Sequence, residues 1–279
     1  MKPGALPSVP ARCDAADRRF FLGLWLLGGT YIGLIAALLV ADFSFTSPNQ
    51  FVQALRSREI RYAIRLSLVS CSLTTLLSLW VAVPIGYLLS RTQFRGKALL
   101  DALLDIPIVL PPLVIGLSLL ILFQTPPGRA LERLLPVTYA LPSVILAQFT
   151  VACAFAVRTM RTTFDQINPR AEQVALTLGC RRSEAFWLVV LPAARRGVLT
   201  AATLAWARSL GEFGPVLVFS GATRMKTEVM PTTVFLELSV GNVEAAVAVS
   251  LLMVVAAVAA LVLIRCFGSA QALGRSLEP

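Results

Sequence analysis

Six stretches of this chain run for twenty or more residues with two charges at most, and that pattern restricts the fold more than any other feature. Phe20 to Ala41, Leu66 to Ser90, Ile106 to Gly128, Leu134 to Val157 and Ala245 to Ile264 hold no charge. Gly197 to Gly221 holds only Arg208 and Glu212. About 20 apolar residues cross a hydrocarbon core about 30 Å thick as a helix, and in lipid the backbone must satisfy its own hydrogen bonds. The expectation is an all-α polytopic membrane protein. Its six spans fall near 20–41, 66–90, 106–125, 137–157, 197–220 and 245–266. They form a single transmembrane domain over 20–267, between a tail at 1–19 and a short tail at 268–279.

Composition agrees. Charged residues make up 14% of the 279 and hydrophobic ones 57%, against roughly 25% charged in a soluble domain. There is no histidine, which removes the commonest general base and metal ligand. The five cysteines have no metal-ligand spacing and read as apolar fillers. The net charge of +10 does not indicate nucleic acid, because the basic residues sit between apolar runs rather than on one soluble face. With both termini inside, cytoplasmic segments carry sixteen of the 25 Lys and Arg and outer segments eight. That bias sets the orientation, although Arg56, Arg58, Arg61 and Arg65 oppose it. The first run follows Arg18-Arg19 and exceeds the 7–15 residues of a signal core, so it reads as a retained anchor. No GxxxxGK[ST] run is present. Energy for any transport must come from a partner or from an ion gradient.

The segment 158–196 between the fourth and fifth spans is long for a simple reversal and carries ten charges. Asn168-Pro169 caps and opens a helix. Ala171, Val174, Ala175 and Leu178 then recur on one face, and Gly179 stands where a positive φ is wanted. Ser183 is placed to cap a second short helix bearing Phe186, Trp187 and Val190, with Leu191-Pro192 to stop it. Two short helices hinged at a glycine make a knob. It could dock in a partner or lie on lipid headgroups.

The run Glu172 to Pro192, EQVALTLGCRRSEAFWLVVLP, resembles the EAA loop of ABC-importer permease subunits. Ala175, Gly179, Phe186 and Leu191-Pro192 match its spacing, while Glu172 stands one position further from the glycine than in the shortest consensus. Ile106 to Gly116, IPIVLPPLVIG, and Ala207 to Gly214, ARSLGEFG, are similar to segments of molybdate-type permeases. The likeness covers about Ile64 to Phe267. It implies an ABC type I importer-like permease for molybdate, tungstate or a related tetrahedral oxyanion. Sulfate or thiosulfate is the alternative, although those signatures more often have tyrosine where Phe213 stands. It also implies a homodimer in the inner membrane, served by an extracytoplasmic binding protein and an ATPase dimer. That ATPase would carry the ATP and magnesium, so this chain would hold no cofactor and catalyse nothing. By the same resemblance Glu172, Ala175, Gly179, Phe186, Leu191 and Pro192 belong to the loop that docks on the ATPase.

Arg208 and Glu212 stand one helical turn apart, with Arg208 about eleven residues into a span that starts at Gly197, hence near midplane. A charge at that depth costs about 2.5 kcal/mol or more, and an i, i+4 partner reduces the cost. Either the two fasten helices together, or Arg208 also lines an anion path. Gly211, Gly214 and Pro215 interrupt the same span, and Pro107, Pro111 and Pro112 the third. Arg208, Gly211, Glu212, Phe213, Gly214, Pro111 and Pro112 are therefore the candidates for path and gate. An outer loop follows Gly221, with a short helix expected at Thr232 to Leu238. A gradient-driven secondary transporter is the alternative from another class, but no internal repeat is visible.

Overall fold

The computed structural model describes residues 15–45 and 48–275, and every regular element among them is helical. Lys2 and Arg12 of the expected inner tail, and residues 276–279, lie outside the described residues. The first helix, α1 (Ala15–Phe45), forms a unit of its own. Its Phe20–Ser44 stretch has a mean hydropathy of 2.1, and nearly all of its described side chains are exposed, as suits a helix solvated by lipid.

The second unit starts at Pro48. A short α2 (Pro48–Arg56) leads into α3 (Arg58–Arg91). Leu66 was the expected start of this span, but the helix begins eight residues earlier. The Ser57 hydroxyl accepts from the Ile60 amide, and Glu59 sits in the first turn near the positive helix end. Arg58, Arg61 and Arg65 therefore ride on a helix rather than a loop.

The third span differs more. Instead of one helix over 106–125 there are two, α4 (Lys97–Val109) and α5 (Pro112–Gln124), bent by 111° at the break. Pro111 and Pro112 are the cause, because each proline pushes its predecessor out of helical geometry. Leu110 has ψ 141° and Pro111 ψ 134°. Next come α6 (Pro126–Leu134), α7 (Leu141–Gln166) and α8 (Pro169–Thr177).

A second revision concerns the fifth span. The helix α9 (Arg182–Ala185) passes through a π turn at Phe186–Val190 directly into α10 (Leu191–Leu210). Leu191-Pro192 does not stop a helix, because the Leu191 amide reaches back five residues to the Phe186 carbonyl. Pro192, which has no N–H, then falls in the first turn of the new register, where none is needed. The continuous helix runs from Arg182 to Leu210, not from Gly197 to Ser220. A further π turn at Val216–Ser220 precedes α11 (Met230–Ser239), which covers the expected short helix. Last is α12 (Val243–Arg275), which stays helical past Gly268, where a tail was expected.

Among the described residues, five helices are long and apolar enough to cross a membrane, and six if α4 and α5 count as one bent span. The centre of the second unit is α7, flanked by α3 and α10 and packed with small residues: Ala82, Ala152, Ala156, Ala194, Ala201 and Ala205. A Cβ on Gly86 would stand 2.8 Å from that of Met160, so α3 and α7 nearly touch backbone to backbone. Small residues drive such packing in lipid, where burying a leucine gains little over the acyl chains it displaces.

Candidate functional site: a broken helix and a hinged knob

Where α10 stops, the expected pair is formed. Arg208 Nη2 lies 2.8 Å from Glu212 Oε1. The two differ in access: the Glu212 carboxylate side chain is 1% exposed and the Arg208 side chain 32%. The Arg208 guanidinium also sits over the Phe155 ring, 5.6 Å from its centre, a cation–π contact that strengthens in a dry site. Arg208 occupies the last turn of α10 rather than the middle of a continuous helix.

Breaking a helix inside a membrane protein frees carbonyls that need donors. Here the Gly211 amide donates to Ala207, and the Glu212 amide donates to Ser209. Gln148 of α7 adds its side-chain amide to the Ser209 carbonyl at 3.2 Å, and its own carbonyl lies 3.4 Å from the Thr74 hydroxyl. Sequence reasoning missed Gln148. The available signal was a lone glutamine in an otherwise apolar run.

Past the break, Gly214 packs on Pro112 and Pro215 packs on Gly116. The interruption after α10 thus crosses the interruption before α5. Pro111 and Pro112 are exposed, as is Gly211. Phe213 is half-buried with its ring centre 5.5 Å from that of Phe235 in α11. Of the seven candidates, Arg208 and Glu212 meet, Pro112 and Gly214 meet, and Phe213 turns to α11.

The loop between Gly221 and α11 is tied down by charge. Arg224 bridges Glu59 at the start of α3 and Glu237 of α11, the latter at 2.9 Å. Burial opposes the Arg224 charge, but Glu237 and Glu59 outweigh it and raise its pKa. Glu228 is fully buried and accepts from the Thr233 hydroxyl and the Met225 amide. Burial raises its pKa above the usual carboxylate value despite those bonds.

At the opposite end of α3, the knob forms as its sequence suggests. The Asn168 side chain accepts from the Arg170 amide to cap α8, and Gly179 has φ +94° with open space where a Cβ would stand. The second cap differs from the expectation: Ser183 lies within the helix, and the Glu184 carboxylate accepts from the Arg181 amide at 2.7 Å. The larger surprise is direction. Glu172 points inward, accepting from the Tyr87 hydroxyl at 2.5 Å and lying 3.3 Å from Arg91 Nε. Arg91 also donates to the Ile167 carbonyl at 3.0 Å. Phe186 stacks edge-on against Tyr87 at 4.8 Å between centroids. Ala175 is buried, Leu191 half-buried and Pro192 exposed. What the knob presents outward is Val174, 56% exposed, and Leu178, 80% exposed. Sequence reasoning missed Tyr87 and Arg91, which lie some eighty residues before the partners they hold.

Comparison with known proteins places this arrangement. The profile of the family "binding-protein-dependent transport system inner membrane component" matches residues 82–273. The chain is 35% identical over 239 residues to a probable molybdenum ABC transporter permease protein of Haloferax volcanii, covering 86% of each chain. It is 31% identical over 245 residues to a sulfate transport system permease protein of Escherichia coli, covering 84% of this chain and 88% of that one. A solved bacterial alginate ABC transporter, in complex with its alginate-bound periplasmic protein, shares the fold. Its TM-score is 0.69 at 17% identity, over 89% of this chain and 92% of that one. The chain belongs to the inner-membrane-component family of binding-protein-dependent transport systems and is a permease subunit of an ABC importer.

Proposed function

We propose that this permease carries a tetrahedral oxyanion, molybdate or tungstate, across the inner membrane as a homodimer. Both termini face the cytoplasm, two ATPase subunits dock on the 158–196 loops, and a binding protein delivers the anion from outside. ATP and magnesium act on the ATPase, and this chain contributes no catalytic group.

The observation that carries the reading is the Arg208–Glu212 pair at the helix break. A fully buried carboxylate pairs with the guanidinium at the end of a membrane-length helix, while a third of the Arg208 side chain stays accessible. A passing dianion meets positive charge already neutralised in part, so it is attracted without being trapped. Relatives named for molybdenum support the substrate.

Docking falls to Val174 of α8 and to Leu178, which caps its end, with Ala175 buried between them and Gly179 making the turn that follows. Glu172 and Phe186 hold the knob against the membrane helices from behind, and Leu191-Pro192 joins it to α10. A load on the knob passes to α3 through Arg91 and to α10 through the π turn. The gate is the crossing where Gly214 meets Pro112, flanked by Pro111, Gly211 and Phe213.

The test is ATP hydrolysis by the permease reconstituted with its ATPase and binding protein, titrated with molybdate, tungstate and sulfate. Stimulation by the first two supports the proposal. The sulfate permease of Escherichia coli, similar over most of this chain, makes sulfate or thiosulfate the second reading. Stimulation by sulfate alone would move the substrate there. Uptake that needs an ion gradient and no ATP would refute both.

A further inference from the structure

The groove between the knob and the inner end of α3 shares Arg91, Glu172 and Phe186 with the link proposed above, and the inference that follows rests on that link. Its walls are Pro84, Tyr87 and Leu88 of α3, Leu176 of α8, and Phe186 and Trp187 of the first π turn. The space amounts to about 750 Å³, within the roughly 300–1,000 Å³ range of small-molecule sites. Arg182 and Ser183 stand at its rim.

The chemistry of the rim and walls is ordered along one axis. Both carriers are membrane-length helices that meet the groove at their ends, α3 in its last two turns and Arg182–Leu210 in its first two. Trp187 follows Arg182 by five residues, about 7.5 Å along a helix. It is 64% exposed, with Leu188 beside it at 71% and Leu88 across the groove at 50%. A basic residue outermost, an aromatic next and aliphatics beyond is the order found across a bilayer interface.

Two guanidinium groups border the groove, and they differ. Arg91 is committed to Glu172 and to the Ile167 carbonyl. Arg182 is exposed and pairs with no carboxylate among the described residues. An unneutralised cation at the mouth of a mostly apolar groove calls for an anionic amphiphile. The docking face does not compete for it. At 100° per residue, Pro169, Glu172, Gln173 and Leu176 line the groove side of α8, and Val174 and Leu178 fall close to the opposite side.

We propose that this groove binds one anionic phospholipid, its phosphate held by Arg182 and the Ser183 hydroxyl and an acyl chain laid along Leu88, Phe186 and Trp187. The lipid fills the space between knob and α3, and so stiffens the link through which the knob moves the membrane helices.

Native mass spectrometry of the whole transporter, taken from nanodiscs of phosphatidylcholine with and without phosphatidylglycerol, tests this. Wild type is expected to retain one phosphatidylglycerol per permease in preference to phosphatidylcholine. Arg182→Gln should lower that retention about fivefold, the equivalent of the ~1 kcal/mol a basic residue contributes at an anionic surface. Trp187→Ala should lower retention of both lipids. Equal retention of the two lipids by wild type, or unchanged phosphatidylglycerol in Arg182→Gln, would overturn the proposal. Loss of the ATPase from Arg182→Gln with lipid retention intact would also overturn it, by assigning the groove to the protein partner.

Discussion

Gly214 lies against Pro112 so closely that a Cβ placed on the glycine would stand 2.9 Å from the proline Cβ and 3.0 Å from the Leu113 amide nitrogen. The contact is reciprocated one turn away, where a Cβ on Gly116 would stand 2.9 Å from the Pro215 Cα. Two chain breaks are thus seated on each other through two glycines and the prolines they meet.

Substituting Gly214 by alanine should force that crossing apart, since both the proline ring and the Leu113 backbone are rigid. A cost of about 1–3 kcal/mol is expected from overpacking, read as a lower thermal midpoint in detergent. Transport should fall further than stability alone accounts for, and Gly116→Ala should give the same phenotype. Two fully active alanine variants would show that the crossing does not move during transport.

Arg208→Gln leaves the Glu212 carboxylate buried without its cation. Breaking such a pair costs about 3–5 kcal/mol, so the single variant should express poorly. The double variant Arg208→Gln, Glu212→Gln removes both charges and should recover the folded yield. If Arg208 lines the anion path, the double variant stays deficient in oxyanion uptake. If the pair only fastens helices, uptake returns with the fold.

Arg91→Ala removes the cation of Glu172 and the donor to the Ile167 carbonyl, two of the polar ties between α3 and the loop, and leaves the Tyr87–Glu172 hydrogen bond. The expected result is a complex that still assembles with its ATPase but consumes more ATP per anion imported. Arg91→Lys, which keeps the charge and loses the planar fork, should fall between wild type and alanine. The ratio of hydrolysis to uptake in proteoliposomes checks it.

Gly179 has φ +94° with open space around it, so a side chain there is opposed by backbone geometry and not by crowding. Gly179→Ala should cost about 1 kcal/mol and leave a weakened response. Gly179→Asp, which adds a charge beside Leu178, should abolish anion-stimulated hydrolysis. Co-purification of the ATPase separates lost docking from lost coupling.

Glu228 gives the outer loop a pH dependence whose sign follows from its raised pKa. A carboxyl that holds its proton more tightly folded than unfolded stabilises the fold at low pH, and that contribution is lost as pH rises through the folded value. The thermal midpoint of wild type should therefore fall relative to that of Glu228→Gln as pH rises from acid toward neutral. Parallel profiles for the two proteins would sink this account.

Local and compositional features were legible without a structure. Uncharged runs set the membrane class because lipid tolerates so few charges, and the Asn168-Pro169 start and Gly179 turn of the knob follow from rules that span a few residues. Arg208 and Glu212 pair as their i, i+4 spacing suggests, although Glu212 stands just past the end of α10. The inward turn of Glu172 was not legible: Tyr87 and Arg91 sit in a helix whose sequence reads as membrane filler up to its last turn. Equally hidden was the helix running on through Leu191-Pro192, since a π turn changes register and cancels a stop that proline signals in isolation.

What the sequence by itself determined is the all-helical membrane class, the break at Pro111-Pro112 and the spacing that lets Arg208 meet Glu212, all consequences of rules that span a few residues, whereas Pro107 stays inside α4. Only the tertiary structure decided that the two interruptions cross at Gly214 and Pro112, that Gln148 takes up a freed carbonyl, and that the knob turns Glu172 inward and Leu178 outward. Those outcomes depend on contacts between residues far apart in the chain, where small side chains let backbones approach and leave no periodic trace.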